Sequence, residues 1–235
     1  MHAKRRARSN PEPLGRRERN KRDKMVRIER AARTLFSRQG FEATTIRQIA
    51  EAADIGLGTV FSYATNKHDL LVLIFQDEVG HAVDRAFATV PDKPLLDRVL
   101  HVFGAIIAHH RGSPDLARVF VKETPFIDDR RHGIRDFMRD LFAGLTGFVD
   151  DAKRRGELEP DVPAALLVRN LFAIYFQAMQ VWLSGRVPEL DTRRLRDALE
   201  LQLRGLRLTG PRPRATAKRR ERRAVRVGVP RAGDI

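Results

Sequence analysis

Apolar residues recur every three or four positions along most of this chain. Ile28, Ala31, Ala32, Leu35 and Phe36 fall at i, i+3, i+4, i+7 and i+8, the spacing of one buried helix face. Gly40 supplies a stop, and Thr44 or Thr45 offers an N-cap for the next helix. Ile46, Ile49, Ala50 and Ala53 mark this second, short helix. After the turn "DIGLG", Thr59 to Ala64 gives a third, and Val72, Phe75, Val79, Ala82, Val83 and Ala86 line a longer fourth. Pro91 and Pro94 break the pattern, which resumes at Leu96, Val99, Leu100, Phe103, Ile106 and Ile107. Further helices are predicted from Ser113 to near Pro125, over Ile134 to Val149, from Val162 to Leu183, and over Leu195 to Leu206. No segment alternates with period two, and no repeat of 20–50 residues is visible. The pattern predicts an all-α fold of about nine helices.

Charge changes this picture at the two ends. The formal net charge is +15, yet residues 1–30 alone carry +8 and residues 204–235 carry +9, leaving a middle near −2. A near-neutral body with cationic ends favours nucleic acid or an anionic surface. From Gly210 onward Arg, Pro and Gly dominate and apolar residues are sparse, a composition that does not build a core. Residues 1–20 read the same way. The basic start is followed by no apolar run of the kind a secretory signal needs. Val162 to Leu183 is the longest apolar stretch, but Arg169, Asn170, Gln177 and Gln180 interrupt it. It reads as a buried helix, and no membrane partner is expected. With no cysteine in the chain, disulfides, thiolate metal sites and cysteine nucleophiles are excluded.

The stretch "TIRQIAEAADIGLGTVFSYATNK" carries the most specific chemistry. A short helix, a tight turn and a second short helix make a helix-turn-helix. Ile49, Ala50 and Ala53 suit a close helix approach, Ile55 plugs the turn, and Gly56 and Gly58 are expected to let the backbone bend. Thr59 opens the third helix, where its hydroxyl and free N–H groups suit a phosphate oxygen. Lys67, at the start of the fourth, suits a charge-assisted phosphate contact. A helix of about two turns fits a major groove roughly 12 Å wide. Each residue also has a plainer reading: Thr45 as an N-cap, Tyr63 as packing, and Arg47 and Lys67 as surface charges.

Residues 24–79 resemble the DNA-binding domain of the TetR family of bacterial transcriptional regulators. The resemblance lies in Ala31-Ala32, Leu35-Phe36, Gly40-Phe41, Thr44-Thr45, Ile49-Ala50, Gly58-Thr59, and Lys67 before Leu70-Leu71, in that order. It implies a helix-turn-helix domain over 21–70 and a helical ligand-binding and dimerisation domain over 71–208, flanked, from the composition above, by a disordered basic arm over 1–20 and a disordered basic tail over 209–235. It also implies that Arg47 reads a base or binds phosphate. Leu57, Gly58, Val60, Ser62 and Tyr63 take recognition-helix positions, and Thr45, Thr59, Tyr63 and Lys67 resemble backbone-phosphate contacts. Two positions depart from the family pattern: Phe61 replaces a usual Tyr, and Ala64 replaces a usual Phe. Leu57 and Val60 are apolar, so sequence reading is expected to lean on thymine methyls, Arg47 and DNA shape.

The resemblance implies a ligand-responsive regulator, more often a repressor, acting as a homodimer on a palindromic operator in double-stranded DNA in the cytoplasm. The apolar helix from Val162 and the last helix are the interface candidates. For a small hydrophobic or amphipathic effector the candidate lining is Phe103, Ile107, Phe120, Phe126, Met138, Phe142, Tyr175, Gln177, Met179 and Trp182. His109 and His110 are adjacent, so their side chains diverge on a helix, and they read as surface or helix-end residues rather than a metal pair. Asp128-Asp129 and Asp150-Asp151 are likewise adjacent rather than facing acid–base pairs. No cofactor, metal or enzymatic activity is expected. The competing reading is an architectural DNA or RNA binder working through its basic ends.

Overall fold

The computed structural model describes residues 15–124 and 133–205, and they are helical with no strand among them. Phe126, the Asp128-Asp129 pair and residues 1–14 and 206–235, which include the whole basic tail, lie outside the described residues.

Helix α1 spans Arg16–Ala43. It begins inside the segment expected to be a disordered arm. The run "RRERNKRDK" explains the difference, since Arg, Lys and Glu are good helix formers whatever they pack against. Ile28, Ala32 and Phe36 bury one face. Gly40 leaves helical geometry at φ +82°, a conformation that favours glycine. The chain then folds Phe41 back beneath Phe36, with ring centroids 5.2 Å apart. The buried Thr44 hydroxyl donates to the Gly40 carbonyl at 2.8 Å and fixes the bend.

Helix α2 is Ile46–Ala52 and α3 is Leu57–Phe61. Thr45 opens α2 with a reciprocal cap: the Gln48 amide donates to its hydroxyl at 3.2 Å, and its own amide donates to Gln48 Oε1 at 2.9 Å. The turn bends differently from the expectation. Gly56 lies at φ −59° and Gly58 inside α3, whereas Asp54 is the residue in left-handed geometry, at φ +51°. Arg27 holds it there, donating to the Asp54 carbonyl at 2.6 Å and to its carboxylate at 2.8 Å.

Helix α4, Lys67–Ala88, runs from this head into the body. Asn66 caps it by accepting from the Asp69 amide at 2.8 Å. The body comprises α5 (Leu95–Arg111), α6 (Pro114–Glu123), α7 (Ile134–Arg154), α8 (Ala164–Leu183) and α9 (Thr192–Arg204). Helix α4 packs on α5, α6 and α7, while α8 packs on α6, α7 and α9. Phe87 of α4 lies against Gly144 of α7 so closely that a Cβ there would fall 2.5 Å from the ring. Arg98 of α5 bonds Asp151 of α7 at 2.6 Å and covers the Phe148 ring at 4.4 Å. The Arg98 bond, with Arg154 and Arg155 nearby, holds the Asp151 carboxyl below its ordinary range.

Helix α8 has the length and apolar composition of a membrane span. Its buried positions, Leu167, Leu171, Tyr175 and Met179, follow one face into the core. On its other side Ile174, Ala178 and Val181 line a groove with Leu195 and Ala198 of α9. Leu166 of α8 and Leu201 of α9 are each 55% exposed.

Candidate nucleic-acid interface and effector cavity

The helix-turn-helix presents an exposed surface from α2 and α3. Arg47 on α2 and Gly58, Phe61 and Ser62 on or beside α3 are exposed; Leu57, Thr59 and Tyr63 are half-buried. Val60 is 0% exposed and part of the core, so the expectation that it touches bases is corrected. Its position follows from helix geometry: it shares the inward face with buried Ala64, four residues on. The apolar side chain that α3 does present is Phe61, 45% exposed, which the residue-by-residue reading left out of the contact set.

A cleft joins this surface to α1. Arg17, Asn20, Lys21 and Lys24 line one wall; Thr59, Ser62 and Tyr63 line the other. Tyr63 closes the joint, its hydroxyl donating to the Lys21 carbonyl at 2.9 Å, and partial burial raises the phenol's pKa. Three cationic side chains of the α1 extension therefore border the Thr59 hydroxyl, an arrangement suited to consecutive phosphates, while the Ser62 hydroxyl donates to the Thr59 carbonyl at 2.6 Å. Lys67 is placed otherwise than expected. Its ammonium donates to the carbonyls of Phe41 and Glu42 at 2.6 and 3.0 Å and lies 4.3 Å above the Phe41 ring. Two of its three N–H donors serve the end of α1.

The body holds a half-open cavity of about 80 Å³ bounded by α4, α5, α6, α7 and α8. Of the candidate lining, Phe120, Met138, Tyr175 and Met179 reach it. Phe103 is buried behind it, stacked on Tyr175 at 4.3 Å. Ile107 and Trp182 are buried without lining it, Phe142 packs edge-on to Phe172 at 5.2 Å, and Gln177 faces the groove between α8 and α9. The sequence reading missed Gln76, Phe137, Phe172, Phe176 and His110 among the lining residues. Phe172 and Phe176 stand four apart, and that stripe was the available signal.

His110 corrects the surface reading outright. It is 2% exposed, and its Nδ1 donates to the Ile106 carbonyl at 2.8 Å. Burial pushes its pKa down to about 4. Its neighbour His109 faces the other way, with Nε2 3.3 Å from Glu78 Oε2, and Glu78 pairs with Arg33 of α1. Burial, and then Arg33 and Arg85, lower the His109 pKa as well. The Phe75 ring is the hub of this region. The Arg33 guanidinium sits 4.7 Å from its centroid, His109 5.3 Å, Phe120 5.5 Å and His110 6.3 Å. A continuous chain of edge-on and tilted ring contacts thus runs from α1 to the cavity wall. No group of three or more metal-ligating side chains occurs among the described residues.

A helix-turn-helix head on an all-helical body with a half-open cavity defines a DNA-binding transcription regulator. Residues 28–74 match the family model described as bacterial regulatory proteins, tetR family. Over this segment the chain carries a TetR-family DNA-binding domain. It is 23% identical over 167 residues to the fatty acid metabolism regulator protein of Bacillus subtilis, covering 69% of this chain and 84% of that one. It is 25% identical over 182 residues to the transcriptional repressor KstR of Rhodococcus jostii, covering 77% and 83%. Among solved structures it is similar to Thermus thermophilus FadR in complex with lauroyl-CoA, with TM-score 0.62, 25% identity and coverage of 80% and 98%. Bacillus subtilis FadR in complex with stearoyl-CoA superposes with TM-score 0.61 at 18% identity, covering 77% of this chain and 99% of that one.

Proposed function

We propose that this regulator is a cytoplasmic repressor that binds a palindromic operator as a homodimer and releases it when a small, mainly apolar effector enters the body. The observation that carries this is the course of α4. The helix begins beside the recognition unit at Lys67 and supplies Gln76 and Val79 to the cavity wall. A ligand that prefers one position of α4 must therefore shift the population of reading-head positions. The acyl-CoA complexes of the two FadR proteins support an effector with a long apolar part. The groove between α8 and α9, with Leu166 and Leu201 exposed on the same two helices, supports pairing of two copies through them. Such a pair sets two heads about one DNA turn apart, ~34–36 Å, or farther. In the DNA complex Arg47, Leu57, Gly58, Phe61 and Ser62 face the major groove, and Arg17, Lys21, Lys24 and Thr59 follow the backbone, while Thr45 and Tyr63, whose donors serve Gln48 Oε1 and the Lys21 carbonyl, hold α2 and α3 in place.

The test is selection of bound duplexes from random DNA by the full-length protein and by Arg47→Ala/Thr59→Ala. An inverted repeat enriched by the first and lost by the second supports the reading. Uniform binding by both, abolished by removing residues 209–235, would replace it with an architectural binder.

A further inference from the structure

The effector cavity constrains the chemistry of its occupant as well as its size. Among the described lining residues there is no Asp, Glu, Lys or Arg. Three buried polar side chains reach it from three helices: Gln76 of α4 is 8% exposed, His110 of α5 2%, and Tyr175 of α8 4%. The remaining wall is almost wholly aliphatic, aromatic or thioether.

The state of His110 follows from its neighbour. A backbone carbonyl can only accept, so the contact of Nδ1 with the Ile106 carbonyl puts the ring proton on Nδ1. Burial disfavours a second proton. Nε2 is then a bare lone pair, and it has no hydrogen-bond partner among the described residues. Neither the Tyr175 hydroxyl nor the Gln76 amide has one there either. Buried polar groups are costly when left unpaired, and a ligand that displaces water from them must replace those bonds.

Resting on the reading of this cavity as the effector site, we propose that it recognises an uncharged, mainly apolar molecule bearing a hydrogen-bond donor, a hydroxyl or amide N–H, which His110 Nε2 accepts while Tyr175 and Gln76 complete the set. A bare saturated chain leaves all three groups unpaired. A carboxylate brings only acceptors to the Nε2 lone pair and finds no cation among the described lining residues to offset its desolvation. The cavity volume of about 80 Å³ suits a short chain segment or small ring around that donor.

Three matched probes decide the matter: 1-hexanol, its donor-less isomer methyl pentyl ether, and hexanoate. Each is titrated into full-length protein at neutral pH with ligand-detected NMR. Hexanol is expected to bind about tenfold more tightly than the ether, with hexanoate weakest. His110→Phe should erase the hexanol advantage while the ether still binds. Tyr175→Phe, nearly isosteric, should reduce it and serves if the first variant does not fold. Equal binding of hexanol and ether to the wild type overturns the proposal. So does hexanoate binding as tightly as hexanol, an advantage that survives both substitutions, or failure of all three probes to bind. Operator release is read in parallel by fluorescence anisotropy. Discrimination without release by hexanol or its longer homologues would remove the effector reading and leave the site. Release by an acyl-CoA with no discrimination among the probes would do the reverse.

Discussion

The ammonium of Lys67 donates to the carbonyl of Phe41 at 2.6 Å while lying 4.3 Å above the ring of the same residue. One side chain thus ties the first turn of α4 to the end of α1 through a charge-assisted hydrogen bond and a cation–π contact. Lys67→Ala is expected to cost about 1–3 kcal/mol of stability, measured by urea unfolding. Its effect on DNA binding should be equal for all sequences. An unchanged urea midpoint, with a salt slope of log K smaller by ~0.9, would instead make Lys67 a phosphate ligand.

Gly58 is exposed, and a Cβ built on it would meet nothing within 4 Å. Nothing within the protein requires a glycine at this point of α3. Gly58→Leu should therefore leave the unfolding free energy within about 0.5 kcal/mol of the wild type. It should weaken operator binding tenfold or more (~1.4 kcal/mol), because the added side chain stands where the DNA must approach. Unimpaired binding in a mobility-shift titration would show that α3 meets the groove by another face.

Gly144 shows the opposite constraint. Its missing Cβ makes room for the Phe87 ring. Gly144→Ala is expected to destabilise by about 1–3 kcal/mol through overpacking, despite the better helix propensity of alanine. Combining it with Phe87→Leu should recover part of the loss. A double variant whose cost equals the sum of the two singles would show that the contact is not what matters.

His110 makes stability depend on pH in a defined direction. Burial lowers its pKa from 6.5 to about 4 in the folded chain. Between those values the unfolded chain binds more protons than the folded one, so stability falls as pH drops through this window and is insensitive to His110 above it. The full effect is about 3 kcal/mol. Urea midpoints between pH 7 and 4 should therefore fall less steeply for His110→Phe than for the wild type. Parallel slopes would mean that other groups carry the acid sensitivity.

The helices and the helix-turn-helix were legible because each announces itself locally. Apolar spacing marks a buried face, and Thr44-Thr45 after Gly40 marks a helix start. What escaped depends on neighbours distant in sequence. Val60 looks like a recognition residue until the core beneath α3 is seen to take it. Two glycines in the turn look like the bend until Arg27, far along α1, is found holding Asp54 in left-handed geometry. Adjacent histidines are ambiguous on any helix, since one must face within about 100° of the other. Only packing shows that His110 enters the body while His109 turns toward Glu78. The cavity was half legible: its aromatic and methionine residues stand out by type, while Gln76 and His110 gave no sign of facing inward.

The contacts around Phe75 bear on modularity. Arg33, over the ring, belongs to α1 of the DNA-binding head, while His110 and Phe120, against the same ring, belong to the chamber wall. A cut between head and body would expose this ring whichever fragment kept α4. A chimaeric sensor made by exchanging bodies must therefore carry Arg33, Phe75 and Glu78 as one inherited unit, and the seam belongs in side-chain complementarity rather than in any loop.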